Sequence, residues 1–108
     1  MFEVYKSKKN DEFYFRLKAA NGQKILGSEG YTTKAACMNG IDSVKKNSRK
    51  KDNFEVKEAK NGKFHFNLKA TNGQIIGTSQ MYADMSGLNN GIESVQKNAK
   101  SPVKEVKD

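Results

Sequence analysis

The sequence has very little of what disulfides, metal centres and membrane spans require. Its 108 residues include one cysteine (Cys37), one histidine (His65), one proline and no tryptophan. A single cysteine cannot form an intramolecular disulfide, which is typical of a reducing compartment, so we expect a cytoplasmic location. A structural zinc site takes four cysteine or histidine ligands, and the chain has two such residues, so we expect no metal. No apolar run approaches the roughly 20 residues of a transmembrane helix, and we expect no membrane partner.

Sequence motifs of common catalytic sites are also missing. There is no Gly-x-Ser-x-Gly elbow, no glycine-rich phosphate loop ahead of a helix and no His-Glu-x-x-His. Glu3 and Glu55 form a carboxylate pair only through the repeat described below, and nothing in the sequence puts them into one pocket. We therefore predict a protein that is not an enzyme, with no catalytic residues and no cofactor.

Positive charge is what the sequence has in excess. Lysine and arginine number 20 and aspartate and glutamate 12, which gives a formal net charge of +8. Residues 1–52 hold 12 basic and 6 acidic side chains, whereas residues 53–108 hold 8 and 6. Such an excess attracts polyanions, and it equally keeps a small protein soluble. The charge alone leaves both interpretations open.

The chain is a duplication. Phe13–Gln23 returns as Phe64–Gln74 at an offset of 51, and Asn39–Val44 returns as Asn90–Val95. Between residues 13 and 47, 18 of 35 positions are identical to their partners. We divide the chain into repeat 1, about 1–51, and repeat 2, about 53–108, and predict that they form a single domain over 1–108, because one such unit is too small to bury a stable core.

Each repeat has the pattern of three strands and a helix. In repeat 1, Phe2–Tyr5 and Phe13–Ala19 alternate between apolar and polar residues, as half-buried strands do. Asn21-Gly22 predicts a type I′ hairpin turn into a returning strand. Cys37, Gly40, Ile41 and Val44 then follow helical spacing. We predict an α+β fold of tandem β-β-β-α(-β) units, forming one antiparallel sheet of about six strands or slightly more, with both helices packed on one face and pseudo-two-fold symmetry.

The repeated motif resembles a known family. Leu-Lys-Ala-x-Asn-Gly-Gln, then Ser-x-x-Tyr, then Asn-Gly-Ile-x-Ser-Val-x-x-Asn occurs twice, and this pattern resembles the YegP-like family of small bacterial proteins, a domain of unknown function. The resemblance implies exchanged C-terminal strands, here Val103–Val106, with the residues just before Phe54 in the equivalent place. The family supplies no catalytic or ligand residues to carry over. Met85-Ser86-Gly87 departs from its pattern, so we expect the second helix to begin late.

The alternation places a row of cations on the outward face of the sheet. Tyr14, Arg16 and Lys18 fall there in repeat 1, and His65, Asn67 and Lys69 hold the symmetric positions. The segment after the first helix adds three further cations: Arg49, Lys50 and Lys51. Basic residues interleaved with aromatics are typical of single-strand binders. A solvated surface without a ligand is the alternative interpretation of the same residues.

These sequence features lead to one predicted function and one alternative. The first is an uncharacterised, non-enzymatic binding or interaction module, monomeric and without an assignable ligand. The alternative is weak binding of nucleic acid or another anion through Tyr14, Arg16, Lys18, Lys69 and the basic segment Arg49–Lys51.

Four further expectations concern single residues. Cys37 lies on the apolar helical stripe and is expected in the core. His65 is expected in solvent. Tyr31 and Tyr82 are expected to pack their rings at the sheet edge and hydrogen-bond their hydroxyls, or else to line paired grooves. Asn39 and Asn90 are expected to bond the neighbouring backbone through their side chains.

Overall fold

The computed structural model describes residues 1–107. In chain order the elements are β1 (Phe2–Lys6), β2 (Phe13–Lys18), β3 (Lys24–Gly27), α1 (Lys34–Asn47), β4 (Phe54–Glu58), β5 (Phe64–Lys69), β6 (Ile75–Thr78), α2 (Met85–Asn98) and β7 (Val103–Glu105), with a 3₁₀ turn at Lys51–Asn53. Seven strands form one sheet in the order β4-β5-β6-β3-β2-β1-β7. The α+β class, the tandem units and the single sheet are confirmed. Within residues 1–107, no helix is both long and apolar enough to cross a membrane.

The core lies between the sheet and the two helices. Alternation along β2 turns Phe15 and Leu17 inward, and both are buried together with Ile41 and Val44 of α1. β5 and α2 repeat this arrangement with Phe66, Leu68, Ile92 and Val95. The two repeats meet where β3 pairs with β6, at Gly27 and Thr78. One layer of helices thus covers one face of the sheet and leaves the other face, called the outer face below, open.

The sheet is mixed rather than wholly antiparallel. β7 of repeat 2 crosses to repeat 1 and pairs in parallel with β1, with Phe2 opposite Val103 and Val4 opposite Glu105. The exchanged strand implied by the family resemblance is therefore present at the C-terminus. It is parallel because α2 returns the chain to the end of the sheet at which β1 begins.

The expected second exchanged strand does not form. The residues before Phe54 make a 3₁₀ turn, and the Phe54 N–H donates to the Lys51 carbonyl. At the equivalent place in repeat 1, the Phe2 N–H donates to the Pro102 carbonyl. Because the chain runs directly from this turn into β4, it has no residues left to lie beside β4.

Both helices are capped alike and begin at equivalent residues. Thr33 accepts a hydrogen bond from the Ala36 N–H at 3.0 Å, and Asp84 accepts one from the Gly87 N–H at 2.8 Å. α2 begins at Met85, which is the counterpart of Lys34, so the expected late start is wrong. The Asp84 cap offsets the weak helical preference of Gly87.

The hairpin turns differ from the predicted type I′. Such a turn needs positive φ at both central residues, and in this loop only Gly22 has one, at 85°. The Gly22 N–H donates a hydrogen bond to the Ala19 carbonyl and so closes the turn. The Asn21 Oδ1 accepts a hydrogen bond from the Gln23 N–H at 2.9 Å. Asn72, Gly73 and Gln74 repeat the geometry in the second hairpin.

Candidate nucleic-acid interface

Three side chains of repeat 1 form a stacked row on the outer face. The rings of Tyr5 and Tyr14 stack at a centroid distance of 5.8 Å and an angle of 18°. The Arg16 guanidinium lies 4.7 Å from the Tyr5 ring centroid, within cation–π range. The Asn10 side-chain amide donates to the Tyr14 hydroxyl at 2.8 Å. We call Tyr5, Tyr14 and Arg16 the aromatic–cation row.

One carboxylate neutralises part of the charge beside this row. Arg16 Nε donates to Glu3 at 2.7 Å, and Lys18 Nζ lies 3.3 Å from the same oxygen. The Arg16 hydrogen bond is the main cause that lowers the pKa of Glu3 below 4.5, so the carboxylate stays ionised at neutral pH. A single carboxylate faces two cations, which leaves this part of the face positive.

A third cation, Lys24, lies next to the row. Lys24 folds across Gly27, since a Cβ placed at Gly27 would come within 2.8 Å of Lys24 Cε. Lys24 is also paired in register with Lys18 of the neighbouring strand. The missing side chain of Gly27 thus lets a lysine stem lie flat on the sheet, with its ammonium group at the surface.

Repeat 2 carries a different outer face. Lys57 and His65 take the places of Tyr5 and Tyr14, and Asn67 takes that of Arg16. Lys69 pairs with Glu55 at 2.8 Å, and this contact is the main cause that lowers the pKa of Glu55. Asn67 is buried and accepts from the Thr78 hydroxyl at 2.9 Å. The predicted symmetric face therefore has aromatic stacking in one repeat only.

The predicted set of cations is split between two sides of the molecule. Arg16 and Lys18 lie together on the outer face, and Lys69 lies on that face in repeat 2. Arg49 instead lines a depression with Lys45 and Lys100, where the C-terminal ends of the two helices meet. Arg49, Lys50 and Lys51 are exposed at that end and belong to the helical layer. The structure thus brings the sheet cations together but not the Arg49–Lys51 segment with them.

The expectations for Cys37 and His65 have opposite outcomes. Cys37 is fully buried in the core, as expected, and burial raises the pKa of its thiol to about 11. His65 is half-buried rather than solvated, and its Nδ1 is sealed from solvent with no hydrogen-bond partner among residues 1–107. Within that part of the chain, no three His, Cys, Asp or Glu side chains are grouped as metal ligands would be.

Tyr5 is the residue of the aromatic–cation row that the sequence interpretation missed. Phe2-Glu3-Val4-Tyr5 alternates, and the same alternation that puts Phe2 inside puts Glu3 and Tyr5 on the outer face. The register that sets Tyr5 opposite Tyr14 depends on the length of the loop between the two strands. Alternation along β1 is therefore a signal from which the place of Tyr5 on the outer face could have been predicted. The sequence does not show which residue stacks on it.

Comparison with known proteins places the chain in a family. A family model described as a domain of unknown function, DUF1508, matches it twice, over residues 8–55 and 59–107. The chain belongs to the DUF1508 family. The UPF0339 protein YegP of Escherichia coli strain K12 is 52% identical over 107 residues, which cover 99% of this chain and 94% of that protein. The resemblance inferred from the repeated motif is confirmed.

Solved structures of DUF1508 relatives have the same fold. The solution NMR structure of yegP from E. coli superimposes with a TM-score of 0.91 at 50% identity, covering 98% of this chain and 91% of that one. The solution NMR structure of UPF0339 protein SO3888 from Shewanella oneidensis gives the same TM-score and identity, with 98% and 90% coverage. The first of these is described as a protein of unknown function, so the family supplies a fold and no activity.

Proposed function

We propose that this protein is a non-enzymatic binding module that binds single-stranded nucleic acid weakly on the outer face of repeat 1. The observation that carries the proposal is the aromatic–cation row, in which Arg16 lies over Tyr5 and Tyr5 stacks on Tyr14. Bases stack on such side chains whatever their sequence, because every base has a π-face. Lys18 and Lys24 lie beside the row and supply contacts to phosphates.

The surrounding chemistry supports weak rather than tight binding. Glu3 neutralises part of the charge of Arg16 and Lys18, so few cations remain to release counterions from a backbone. Two aromatic rings accommodate one or two bases, each worth about 1–3 kcal/mol of binding free energy. We therefore expect a short footprint, a shallow salt dependence and little sequence preference.

The ionisable groups support a role other than catalysis. The pKa values of Glu3 and Glu55 are lowered by cationic partners, so neither holds a proton to donate near neutral pH. The Cys37 thiol is buried with a raised pKa, which is the reverse of an activated nucleophile. We also propose that the protein acts as a monomer in the cytoplasm, where its one thiol stays reduced.

Fluorescence anisotropy with a labelled oligothymidylate tests the proposal, at low and at near-physiological salt. Tyr5→Leu and Arg16→Gln should each weaken binding about 5- to 100-fold, since each removes a stacking surface worth about 1–3 kcal/mol. Lys57→Gln is the matched control, because it removes one charge from the same face in repeat 2 at the position of Tyr5. It should change the affinity by less than the first two variants.

Two results would overturn the proposal. One is equal weakening by Arg16→Gln and Lys57→Gln, which would mean that net charge alone attracts the oligonucleotide. The other is loss of all binding at near-physiological salt, which would leave nonspecific attraction and no site. Circular dichroism of each variant establishes that the fold is retained.

A further inference from the structure

Two clefts on the helix side of the sheet are related by the internal repeat. Each lies between the helix of one repeat and the hairpin of the other. Cleft A, of about 390 Å³, joins α1 to the β5–β6 hairpin, and cleft B, of about 330 Å³, joins α2 to the β2–β3 hairpin. Both volumes are in the range of small-molecule sites. Neither cleft contains a residue of the aromatic–cation row, so this inference is independent of the proposed function.

The clefts have nearly the same lining. All ten residues that line cleft B have a counterpart in cleft A at the repeat offset, and eight of the ten are identical. The identical pairs are Ala70/Ala19, Asn72/Asn21, Gln74/Gln23, Ile76/Ile25, Tyr31/Tyr82, Asn39/Asn90, Gly40/Gly91 and Ser43/Ser94. Many of the residues that are identical in the two repeats therefore line cleft A or cleft B. Each cleft takes its lining residues from both repeats.

The tyrosine in each cleft presents a hydroxyl without a protein partner. The Tyr31 ring stacks on Phe15, and the Tyr82 ring stacks on Phe66. A Cβ on Gly40 would overlap the Tyr31 hydroxyl, so this glycine makes room for the oxygen against the helix. Neither hydroxyl has a hydrogen-bond partner among residues 1–107, so the expected hydroxyl bond is wrong, whereas the alternative expectation, that the two tyrosines line paired grooves, agrees with the structure. Phenylalanine would stack equally well, so the hydroxyl is the part that packing leaves unexplained.

The asparagines on the helices are likewise unused by the fold. Asn39 and Asn90 are exposed on the cleft walls, and their side chains make no hydrogen bond within the described chain, so the expected bond to neighbouring backbone is wrong. On the facing wall, the side-chain oxygens of Asn21 and Asn72 each accept a hydrogen bond from a backbone N–H of the hairpin, and their NH₂ groups remain available as donors. Amides and hydroxyls of both polarities thus face one space in each cleft.

We propose that each cleft binds one small neutral molecule rich in hydroxyl and amide groups, of the saccharide class, so that the chain takes up two. The recognising groups are the tyrosine hydroxyl, the helical asparagine and the hairpin asparagine and glutamine. Because these groups are uncharged, a neutral polyhydroxylated ligand satisfies them without the desolvation penalty of burying an ion.

One difference between the clefts serves as an internal test. Glu29 lines cleft A, and its counterpart in cleft B is Gln80, which accepts from Gln23 at 3.3 Å. A carboxylate accepts hydrogen bonds from hydroxyls about twice as strongly as an amide does. Cleft A should therefore bind a hydroxylated probe more tightly than cleft B, and Glu29→Gln should make the two affinities alike.

NMR titration of the ¹⁵N-labelled protein with N-acetylglucosamine tests the proposal, because this probe carries both hydroxyls and an amide. Backbone and side-chain amide resonances of Asn39 and Gln74 should shift at lower probe concentration than those of Asn90 and Gln23, with both Kd values on the order of 1–10 mM. Asn90→Ala should abolish the shifts in cleft B and leave the shifts in cleft A unchanged. Cleft A of the same molecule is therefore the matched control. Asn39→Ala should do the reverse.

Tyr82→Phe separates recognition from packing. It keeps the ring on Phe66 and removes the hydroxyl alone, so it should weaken cleft B several-fold without changing the fold. The proposal is overturned if N-acetylglucosamine and glucose shift no cleft resonance, or if shifts in cleft B survive both Asn90→Ala and Tyr82→Phe. Shifts confined to one cleft would contradict the two-site form of the proposal.

Discussion

At the scale of single residues, Gly40 and Gly91 show how a neighbouring tyrosine side chain determines which residue a helix position can hold. Both lie in helix interiors, where glycine is destabilising by about 1 kcal/mol relative to alanine. A Cβ on Gly91 would lie 2.6 Å from Tyr82 Cζ and would overlap the hydroxyl, and the Gly40–Tyr31 pair has the same geometry. The two glycines therefore let a tyrosine pack on each helix.

Gly40→Ala should consequently destabilise the protein by about 1–3 kcal/mol, despite the better helical preference of alanine, because the added methyl group overpacks the site. Urea unfolding measures the loss. In a Tyr31→Phe background the same substitution should be less destabilising, since the oxygen is gone. Equal losses in the two backgrounds would show that the hydroxyl is not what excludes the side chain.

Glu3 makes the stability depend on pH. Its folded-state pKa is lowered, chiefly by the hydrogen bond from Arg16, so the contribution to stability is present above the ordinary value of 4.5 and is lost as the pH falls through the folded-state pKa. Glu3→Gln should therefore be less stable than the parent at pH 7, and the difference should be smaller at pH 3. Urea midpoints at the two pH values measure the difference.

Glu58→Gln is the control for this experiment, since Glu58 is exposed on β4 and has no ion pair within residues 1–107. Its effect should be small at both pH values. If the difference in stability between Glu3→Gln and the parent stayed constant down to pH 3, the pH dependence could not be assigned to the hydrogen bond from Arg16.

At the scale of elements, the two copies of Phe-Glu-Val begin β1 and β4 but have different neighbours. β7 covers the edge of β1, with the Val106 N–H donating to the Val4 carbonyl at 2.9 Å, and Val4 is 1% exposed. β4 lies at the other end of the sheet, and its Val56 is 41% exposed. The valine of this tripeptide is therefore core in one repeat and surface in the other, whereas the phenylalanine is buried in both.

Removing the residues after Ser101 should expose Val4 to about the extent seen for Val56. We expect a loss of about 1–3 kcal/mol in the free energy of unfolding, from apolar burial and the lost strand pairing. Lys107→Ala, which changes an exposed residue of the same tail, should have little effect. An unchanged urea midpoint in the truncated protein would mean that β7 does not stabilise β1.

The elements that were predictable are those with local periodicity. Alternation identified β2 and β5, and the spacing of Cys37, Gly40, Ile41 and Val44 identified α1. β7 has three residues, two of them charged, and its parallel partner lies about a hundred positions away, so no local pattern indicates its direction. The turn type was wrong because Asn-Gly suits both a type I′ turn and a loop in which glycine alone takes positive φ.

The candidate sites were predictable to different degrees for the same reason. Alternation along one strand placed Arg16 and Lys18 on the outer face. Their pairing with Glu3 depends on the register between β1 and β2, which the strand sequences alone do not specify. Clefts A and B join residues of opposite repeats, so they become visible only when the two halves are assembled.

At the scale of the whole molecule, each helix contacts both repeats. α1 packs on β1 and β2 of its own repeat and also on β5 and β6, while α2 packs on β5 and also on β2 and β3. The interior is therefore shared, and neither repeat encloses its own apolar surface. The prediction of a single domain over residues 1–108 was based on the small size of one repeat, and a shared interior is the arrangement that such a domain requires.

A fragment of residues 1–53 should accordingly fail to fold as a monomer. Without β5, β6 and α2, Leu26 and the apolar face of α1 would be exposed to water. A unit of this size buries too little apolar surface to compensate for that loss. Circular dichroism and size-exclusion chromatography distinguish the outcomes: a disordered chain or a dimer is expected. A monomeric fragment with a cooperative thermal transition would contradict the shared core.

The pairing of β1 with β7 has a consequence for synthesis on the ribosome. β1 leaves the ribosome about a hundred residues before β7, so the edge of the sheet at Val4 has no partner strand until β7 emerges. Contacts between such distant parts of a chain form slowly, because closure of the long intervening loop comes first. The Val4 edge is therefore among the last parts of the sheet to be completed as the chain folds.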